Sequence, residues 1–374
     1  MTTTRADSSR PVLILGAGIN GCAVARELAL NGVPVWLVDS ADIAFGATSR
    51  SSRLIHGGLR YLEYRDIELV QESLIERERL LQLAPQFVTP LRLSIPVSGW
   101  LGGLATAALR FARLAGRGFG FSTSRRRGLL AVRIGLLLYD WLAGRASRGI
   151  HDRAACRRNR SKHGVSAGPR ISRRPFPWVC EYSDAQMIYP ERFALALLAD
   201  AQRASNENST AFEVRTWTEV SREADRFLIR SSDGSTEELS PRLVINATGA
   251  WGDLTLKSLD AGQPQLFAGT KGSHLYSTHA GLRNALGGHG IYAEAADGRL
   301  VFILPCGEGT LIGTTDLPFA ESPGDAVAGD DEVEYLLEMV NSVFDPDTVM
   351  LAREDVEMRH AGVRPLPHVE AART

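Results

Sequence analysis

The 374-residue chain has few cysteines and no long apolar run. Its cysteines are scattered and form no CxxC pair, so neither a metal site nor a disulfide framework is expected. They are Cys22, Cys156, Cys180 and Cys306. The N-terminal residues lack the apolar core of a signal peptide, and no apolar stretch is long enough to predict a membrane span. These absences make a reducing, cytoplasmic location the default expectation.

The chain also lacks an overall charge bias, because its formal net charge is only −1, which argues against nucleic acid as a partner. Its charges are nevertheless unevenly spread. Residues 110–174 carry 17 Lys and Arg against 2 Asp and Glu, whereas the rest of the chain carries 25 against 41. This basic segment predicts either contact with an anionic membrane surface or a solvated, poorly ordered loop.

A strand, a glycine-rich turn, a helix and a second strand are predicted in sequence between Pro11 and Asp39. Gly16 permits a tight turn, Gly18 lets the backbone approach a pyrophosphate, and Gly21 lets the helix pack closely on the sheet. The helix N-terminus offers free N–H groups to phosphates. Asp39 is placed to accept hydrogen bonds from a ribose, which disfavours a 2′-phosphate and hence NADP. This pattern predicts dinucleotide binding without separating FAD from NAD.

The run TSRSSRLIHGGLRYLE, residues 48–63, combines hydroxyls, arginines, a histidine and a glycine pair. Its hydroxyl groups suit a pyrophosphate, or alternatively they cap a helix that starts near Leu54. They belong to Thr48, Ser49, Ser51 and Ser52. The pair Gly57–Gly58 predicts a place where a flat ring can touch the backbone; the alternative is a simple turn.

Three further side chains of this run have chemistry that suits an anionic substrate. Arg60 can bind a phosphate bidentately and Tyr61 can add a hydroxyl donor, although a surface ion pair with Glu63 and a core tyrosine are the plainer interpretation. His56 has a pKa range suited to accepting a hydroxyl proton, or it is a satisfied core histidine. Residue types alone favour the plainer interpretations.

Six motifs in order give the chain a resemblance to a known family. They are GAGINGCAVARELA (16–29), ATSRSSRLIHGGLRYLE (47–63), INATGAW (245–251), KGSH (271–274), IGTTD (312–316) and AGVRPL (361–366). Together they resemble the FAD-dependent glycerol-3-phosphate dehydrogenases of the D-amino-acid-oxidase-like flavoprotein superfamily. The resemblance is strong over residues 12–96 and 243–366. RIGLLLYDWLAG (133–144) and EYSDAQ (181–186) match family segments more loosely.

The resemblance implies an FAD cofactor and the oxidation of sn-glycerol 3-phosphate to dihydroxyacetone phosphate. His56 or His274 would accept the C2 hydroxyl proton, the C2 hydride would pass to flavin N5, and a quinone would receive the electrons. Further residues would hold the phosphate, polarise the developing carbonyl or line the cofactor. They are Arg60, Tyr61, Arg364 and Lys271 for the substrate, and Thr248 and Gly249 for the cofactor. Arg364 could instead pair with Glu357, and Lys271 could be an ordinary solvated lysine.

The predicted fold is α/β, with a Rossmann-like FAD-binding domain and a discontinuous α+β substrate domain. The FAD domain is expected at 1–90 and 201–262, the substrate domain at 91–200 and 263–360, and a return to the FAD domain at 361–374. Residues 91–128 predict an amphipathic helical pair on an anionic membrane or a helical hairpin with a basic loop. Residues 145–174 predict a poorly ordered loop. A homodimer and a peripheral position on the inner face of the cell membrane complete the expectations.

The chain stops at Thr374, directly after the AGVRPL motif. In the family that this chain resembles, a Gly-Gly-Lys-rich element that closes over the flavin and a helical domain follow. The chain is therefore expected to lack one flavin contact and one phosphate ligand. Two alternatives stay open: a related flavin oxidase acting on amines or hydroxy acids, and a non-catalytic flavoprotein remnant.

Overall fold

The computed structural model describes residues 10–100, 127–146, 153–159, 168–224, 226–262 and 265–368. The helices are α1 Ile19–Leu30, α2 Ile67–Leu83, α3 Leu129–Ala146, α4 Pro190–Glu207, α5 Gly252–Ser258, α6 Ala280–Leu286 and α7 Asp330–Val343. Short 3-10 helices span Leu59–Tyr64, Gly249–Trp251, Pro323–Asp325 and Arg353–Asp355.

The first nine strands are β1 Val12–Leu15, β2 Val35–Val38, β3 Leu54–Ile55, β4 Thr89–Val97, β5 Ala155–Arg158, β6 Trp178–Gln186, β7 Phe212–Arg215, β8 Thr218–Glu223 and β9 Arg226–Ser231. The others are β10 Thr236–Leu239, β11 Leu243–Asn246, β12 Phe267–Ser277, β13 Gly290–Glu294, β14 Leu300–Cys306, β15 Gly309–Gly313, β16 Leu317–Pro318 and β17 Met358–Pro367.

A four-stranded parallel sheet in the order β11-β1-β2-β7 forms the predicted nucleotide unit. Strand β1 is fully buried, as expected for a central parallel strand with the apolar sequence VLIL. Small residues of α1, among them Cys22 and Ala25, share a core with Ala194 and Leu198 of α4. Close packing of α1 therefore holds the glycine-rich turn at the carboxyl ends of β1 and β2. A separate three-stranded antiparallel sheet contains β10, β9 and β8.

The second large sheet has ten strands, with the order β16-β12-β15-β14-β13-β4-β6-β3 and with β17 on β12 and β5 on β6. It is mixed, since β13 and β4 run parallel while β4 and β6 run antiparallel. Alternate residues enter different cores: Ile291 lies in a core that includes residues of α6 and α7, and Tyr292 lies in one that includes residues of α2 and α3. The predicted α/β class with a mixed second sheet is confirmed, and the domain limits stay a prediction.

Several expectations about the middle of the chain are wrong in its described parts. Residues 91–97 form strand β4 rather than a helix, because alternate apolar side chains bury them inside the sheet. Strand β5 lies within the segment predicted to be a loop, and Cys156 on it forms a disulfide with Cys180 of β6. The sequence separation of 24 residues gave no signal for this pairing. Much of the basic segment (101–126, 147–152 and 160–167) lies outside the described residues.

The helix expected near Leu54 is also wrong, since Leu54–Ile55 is a short strand paired with β6. Residues 194–203 lie in α4 and residues 331–343 in α7, and β14 and β15 pair in antiparallel fashion. Among the residues that the structure describes, no helix is long and apolar enough to cross a membrane.

Candidate active site

The three glycines of the nucleotide turn lack a side chain for different reasons. Gly16 has a φ of 101°, and a Cβ there would lie 2.6 Å from the Ala247 carbonyl oxygen. A Cβ on Gly21 would lie 1.9 Å from the Gly16 carbonyl oxygen. Gly18 has an ordinary φ of −70°, and its Cβ would meet only the Thr48 hydroxyl, at 3.5 Å. Packing within the protein thus explains Gly16 and Gly21, while Gly18 leaves room for a ligand at the α1 N-terminus.

The predicted hydroxyl groups organise the loop that faces this turn. The Thr48 hydroxyl accepts a hydrogen bond from the Ile19 amide at 3.0 Å, at the start of α1. Ser49 donates to the Phe45 carbonyl at 3.0 Å, and Ser51 donates to the Thr48 carbonyl at 3.3 Å. These hydroxyls close the loop on itself, so their role toward a pyrophosphate stays a prediction.

Asp39 ties the end of β2 to the glycine turn. Its carboxylate accepts from the Ala17 amide at 2.6 Å and from the Ala41 amide at 2.8 Å. On β11, which pairs with β1, Asn246 accepts from both the amide and the hydroxyl of Thr248, as a capped turn requires. Gly249 has a φ of 58°, and a Cβ there would meet nothing within 4 Å. This turn is therefore open toward a cofactor, while the ribose contact of Asp39 stays a prediction.

The glycine pair lies against side chains of the protein itself. A Cβ on Gly57 would lie 2.5 Å from both Leu74 and the Tyr139 hydroxyl, and a Cβ on Gly58 would lie 2.4 Å from the Tyr61 ring. Gly58 is left-handed, with φ 69° and ψ 52°, and it precedes the 3-10 helix Leu59–Tyr64. Internal packing thus explains why both positions lack a side chain, and approach of a flat ring stays a prediction.

A buried polar cluster lies beneath this pair. Asp184 accepts from Arg77 Nη1 and from the Tyr139 hydroxyl, both at 2.6 Å. The Tyr139 oxygen in turn accepts from the Gly57 amide at 2.9 Å. Arg77 and Asp184 are each 3% exposed and Tyr139 is 0% exposed. Burial and the Asp184 carboxylate raise the pKa of Tyr139 well above its usual value, so its hydroxyl stays protonated.

His56 lies between this cluster and the aromatic residues of β14. Its Nδ1 accepts from the Gly58 amide at 2.9 Å, and its ring centre lies 6.1 Å from that of Phe302. Burial lowers the pKa of His56, and the Asp184 carboxylate offsets part of that effect. The ring is therefore neutral at pH 7.

Arg60 and Tyr61 are exposed on the 3-10 helix, and the Tyr61 side chain is 42% exposed. The Arg60 guanidinium makes no hydrogen bond or ion pair with the parts of the chain that the structure describes. The other two predicted substrate cations are engaged. Lys271 pairs with Glu332 at 2.8 Å and donates to the Val327 carbonyl, and Arg364 pairs with Asp316 at 3.2 Å.

Glu332 explains why Lys271 is held in place. Besides Lys271, its carboxylate accepts from the hydroxyls of Ser273 and Thr315 and from the Gly329 amide. Glu332 is 3% exposed and its carboxylate is fully hydrogen-bonded, as a buried charge must be. The cluster fastens β12 to the first turn of α7, which is a structural role for the lysine of the KGSH motif.

His274 lies at the end of that motif, buried at 3% exposure. Its Nε2 is 2.9 Å from the Ser52 hydroxyl, and its ring stacks on His360 of β17 with centres 5.1 Å apart. Burial lowers the pKa of His274 well below its usual value, and His360, Arg364 and Arg53 lower it further. The Ser52 hydroxyl thus links the buried His274 Nε2 to a partly exposed position.

Arg364 lies on the same ladder, extended directly before Pro365. It donates to the Thr314 hydroxyl at 3.0 Å as well as to Asp316. Gly272 makes room for it, because a Cβ there would lie 2.4 Å from its guanidinium. The alternative pairing with Glu357 is wrong.

The stacked histidines His274 and His360 predict a dependence of stability on pH. Burial, with Arg53 and Arg50 nearby, lowers the pKa of His360 from 6.5 to about 4. Below pH 6.5 the unfolded chain binds a proton at this position that the folded protein refuses until about pH 4. Stability is therefore lost as the pH falls through that window and is regained on raising it.

We expect His360→Gln to weaken this acid destabilisation, by about 3 kcal/mol at most. The free energy of unfolding, measured by urea titration of both proteins from pH 7 to pH 4, checks it. Plots of unfolding free energy against pH that stay parallel for the two proteins over the whole range would contradict the lowered pKa of His360.

Neither the cluster of Arg77, Tyr139 and Asp184 nor the stacking partner His360 was predicted from the sequence. Two of these residues lie inside the loosely matching segments 133–144 and 181–186, which was the available signal. Asp184 shares one face of β6 with Cys180 and Tyr182, and a charged residue on such a core-facing strand position marks a buried polar site once the strand is recognised.

A parallel nucleotide sheet with a glycine-rich turn, joined to a mixed sheet that carries the buried His274, defines a dinucleotide-dependent oxidoreductase. The chain belongs to the DAO family of FAD-dependent oxidoreductases, whose model matches residues 11–372. Its cofactor is therefore FAD, and the bare faces of Gly18 and Gly249 fit a nucleotide at the α1 N-terminus.

Two similar curated proteins act on polyol phosphates, by their names. Glycerol-3-phosphate dehydrogenase of Synechocystis is 32% identical, over 96% of this chain and 61% of its own length. D-erythritol 1-phosphate dehydrogenase of Brucella abortus is 31% identical, over 95% of this chain and 63% of its own length. The chain thus spans about three fifths of the length of these relatives.

A solved structure shows the same fold. L-alpha-glycerophosphate oxidase of Mycoplasma pneumoniae, reduced with dithionite and with FAD bound, matches with a TM-score of 0.64 at 16% identity. The match covers 96% of this chain and 83% of that one.

Proposed function

We propose that this protein oxidises sn-glycerol 3-phosphate at C2 to dihydroxyacetone phosphate. The reaction removes a hydride from C2 and a proton from the C2 hydroxyl. When bound, FAD supplies the two-electron acceptor for that hydride. Thr48, Gly18 and Gly249 would hold it at the α1 N-terminus.

The observation that carries this proposal is the free guanidinium of Arg60. Lys271 and Arg364 have carboxylate partners within the protein, whereas Arg60 is exposed and has no such partner among the described residues. An arginine fork beside a tyrosine hydroxyl is suited to a phosphate dianion. Arg60 lies only four residues after His56, so the phosphate and the reacting carbon can be held by one short segment.

For the hydroxyl proton we propose the Ser52–His274 pair. The Ser52 hydroxyl is partly exposed and lies 2.9 Å from His274 Nε2. Ser52 would take the substrate proton while passing its own to His274, as a hydroxyl activated by an adjacent imidazole does. The lowered pKa of His274 keeps its ring unprotonated at neutral pH, so the acceptor is available. His56, whose Nδ1 is occupied by the Gly58 amide, is the weaker candidate.

We further propose a quinone as electron acceptor and a position at the inner face of the cell membrane. Support comes from the charge of residues 110–174, which suits an anionic surface. A soluble oxidase that passes electrons to oxygen is the alternative. Oxygen uptake compared with reduction of a soluble quinone separates the two.

A substrate series tests the proposed reaction. Initial rates with a dye acceptor should be measured for sn-glycerol 3-phosphate, D-erythritol 1-phosphate, glycerol and glycine. We expect turnover of the phosphorylated polyols and none of glycerol or glycine, because Arg60 and Tyr61 bind the phosphate. Turnover of glycine at a rate equal to that of the polyol phosphates would favour the related amine oxidases instead.

A further inference from the structure

The Gly58 amide donates a hydrogen bond to His56 Nδ1, and this bond determines the tautomer of the histidine. A backbone amide can only donate, so Nδ1 must accept and carries no proton. The neutral ring then holds its single proton on Nε2. Protonating the ring would place an N–H against the amide N–H of Gly58, so the imidazolium is opposed by the same contact.

The buried cluster beneath the loop fixes the direction of these amides. Tyr139 has one hydroxyl proton, and it lies on the 2.6 Å bond to Asp184. The Tyr139 oxygen can therefore only accept from the Gly57 amide, at 2.9 Å. Arg77 balances the Asp184 charge at 2.6 Å and donates to the Ser183 carbonyl. Each member of the cluster is almost fully buried, so the peptide between His56 and Gly57 has little freedom to turn.

We propose that His56 is locked as a hydrogen-bond donor, giving its Nε2 proton to an oxygen of the bound polyol phosphate. This inference rests on the proposed function for the identity of the ligand. Tyr139 and Asp184 are positioning residues that act through the Gly57 and Gly58 amides. His56 is then a substrate ligand beside Arg60 and Tyr61 and does not accept the C2 hydroxyl proton.

The tautomer can be measured without substrate or turnover. In the full chain labelled with nitrogen-15 histidine, the His56 ring signals are those lost in His56→Asn. At pH 8 we expect a protonated Nε2 and an unprotonated Nδ1. Tyr139→Phe removes the nearer acceptor of the Gly57 amide, leaving the Asp184 carboxylate at 3.4 Å, and should bring in the second tautomer. Tyr182→Phe is the matched control, since its ring contacts Tyr139 edge-on in the same core, and it should keep the wild-type signals.

A proton on Nδ1 of His56 in the wild-type protein would overturn the proposal, whatever the variants do. A Tyr139→Phe protein that is folded by thermal unfolding and has unchanged His56 signals would overturn the positioning role. If Tyr139→Phe does not fold, Asp184→Asn replaces it, because it removes the charge that orients the Tyr139 hydroxyl.

A kinetic comparison distinguishes a donor from a base. Glutamine carries an N–H near the position of Nε2 but cannot act as a base, so we expect KM for sn-glycerol 3-phosphate to be about tenfold lower in His56→Gln than in His56→Ala. Equal loss of kcat in both variants with unchanged KM would show that His56 is the base. If no polyol phosphate is turned over at all, the proposed function is wrong. The nitrogen-15 measurement still shows whether His56 is held with its proton on Nε2.

Discussion

Replacing Arg60 by alanine is expected to raise KM for sn-glycerol 3-phosphate by about 10- to 100-fold, with a smaller change in kcat. The guanidinium is the exposed, unpaired cation of the described site, and a hydrogen bond to a charged group contributes about 1.5–3 kcal/mol. Its loss removes binding that substrate and transition state share, which appears in KM. Steady-state kinetics at fixed dye concentration measure the effect.

Arg79→Ala is the matched control, because Arg79 is an exposed arginine of α2 that pairs only with Glu76 of the same helix. It should leave KM unchanged. Arg60→Lys should fall between the wild type and Arg60→Ala, since it keeps the charge and loses the planar fork. A KM for Arg60→Ala within twofold of the wild-type value would show that Arg60 does not bind the phosphate. That result is expected if the protein is a related oxidase without a phosphate preference.

The second large effect is expected for Gly18→Ala. The backbone at Gly18 suits alanine, and the added methyl would meet only the Thr48 hydroxyl at 3.5 Å, so the protein without cofactor should fold with unchanged or slightly higher stability. The methyl does occupy the side from which a pyrophosphate would approach. We expect FAD affinity to fall by about 10- to 100-fold. Quenching of flavin fluorescence on reconstitution gives the affinity, and thermal unfolding gives the stability.

Gly144→Ala serves as control, since a Cβ there meets nothing within 4 Å in helix α3, far along the chain from the nucleotide turn. It should bind FAD as the wild type does. Gly18→Ala protein that binds FAD with wild-type affinity would show that the turn does not hold the pyrophosphate in the predicted way. Gly21→Ala is not a useful substitute, because its methyl would clash with the Gly16 carbonyl and disturb the fold itself.

The nucleotide unit could be predicted from sequence because its signals are local. The strand, the turn, the helix and Asp39 follow one another within thirty residues, and the hydrophobic period changes with each element. These features depend on backbone preferences that a short segment already expresses.

The cluster around His56 could not be predicted, because its members come from three distant elements. Arg77 of α2, Tyr139 of α3 and Asp184 of β6 meet only once the ten-stranded sheet and its helices have assembled. The partner of Lys271 could not be predicted for the same reason, since Glu332 is brought to it by the docking of α7 on β12. Strand β4 was predicted to be helical because residues 91–128 were interpreted as one segment, although its prolines and alternating apolar residues are typical of a strand.

The most direct test of the account is anaerobic titration of the FAD-loaded chain with sn-glycerol 3-phosphate, followed by flavin absorbance. We expect the oxidised flavin band to bleach with sn-glycerol 3-phosphate and not with glycerol. Dihydroxyacetone phosphate should form in an amount equal to that of the flavin reduced. An absorbance that stays unchanged at saturating sn-glycerol 3-phosphate, in protein that holds FAD and is reduced by dithionite, would contradict it.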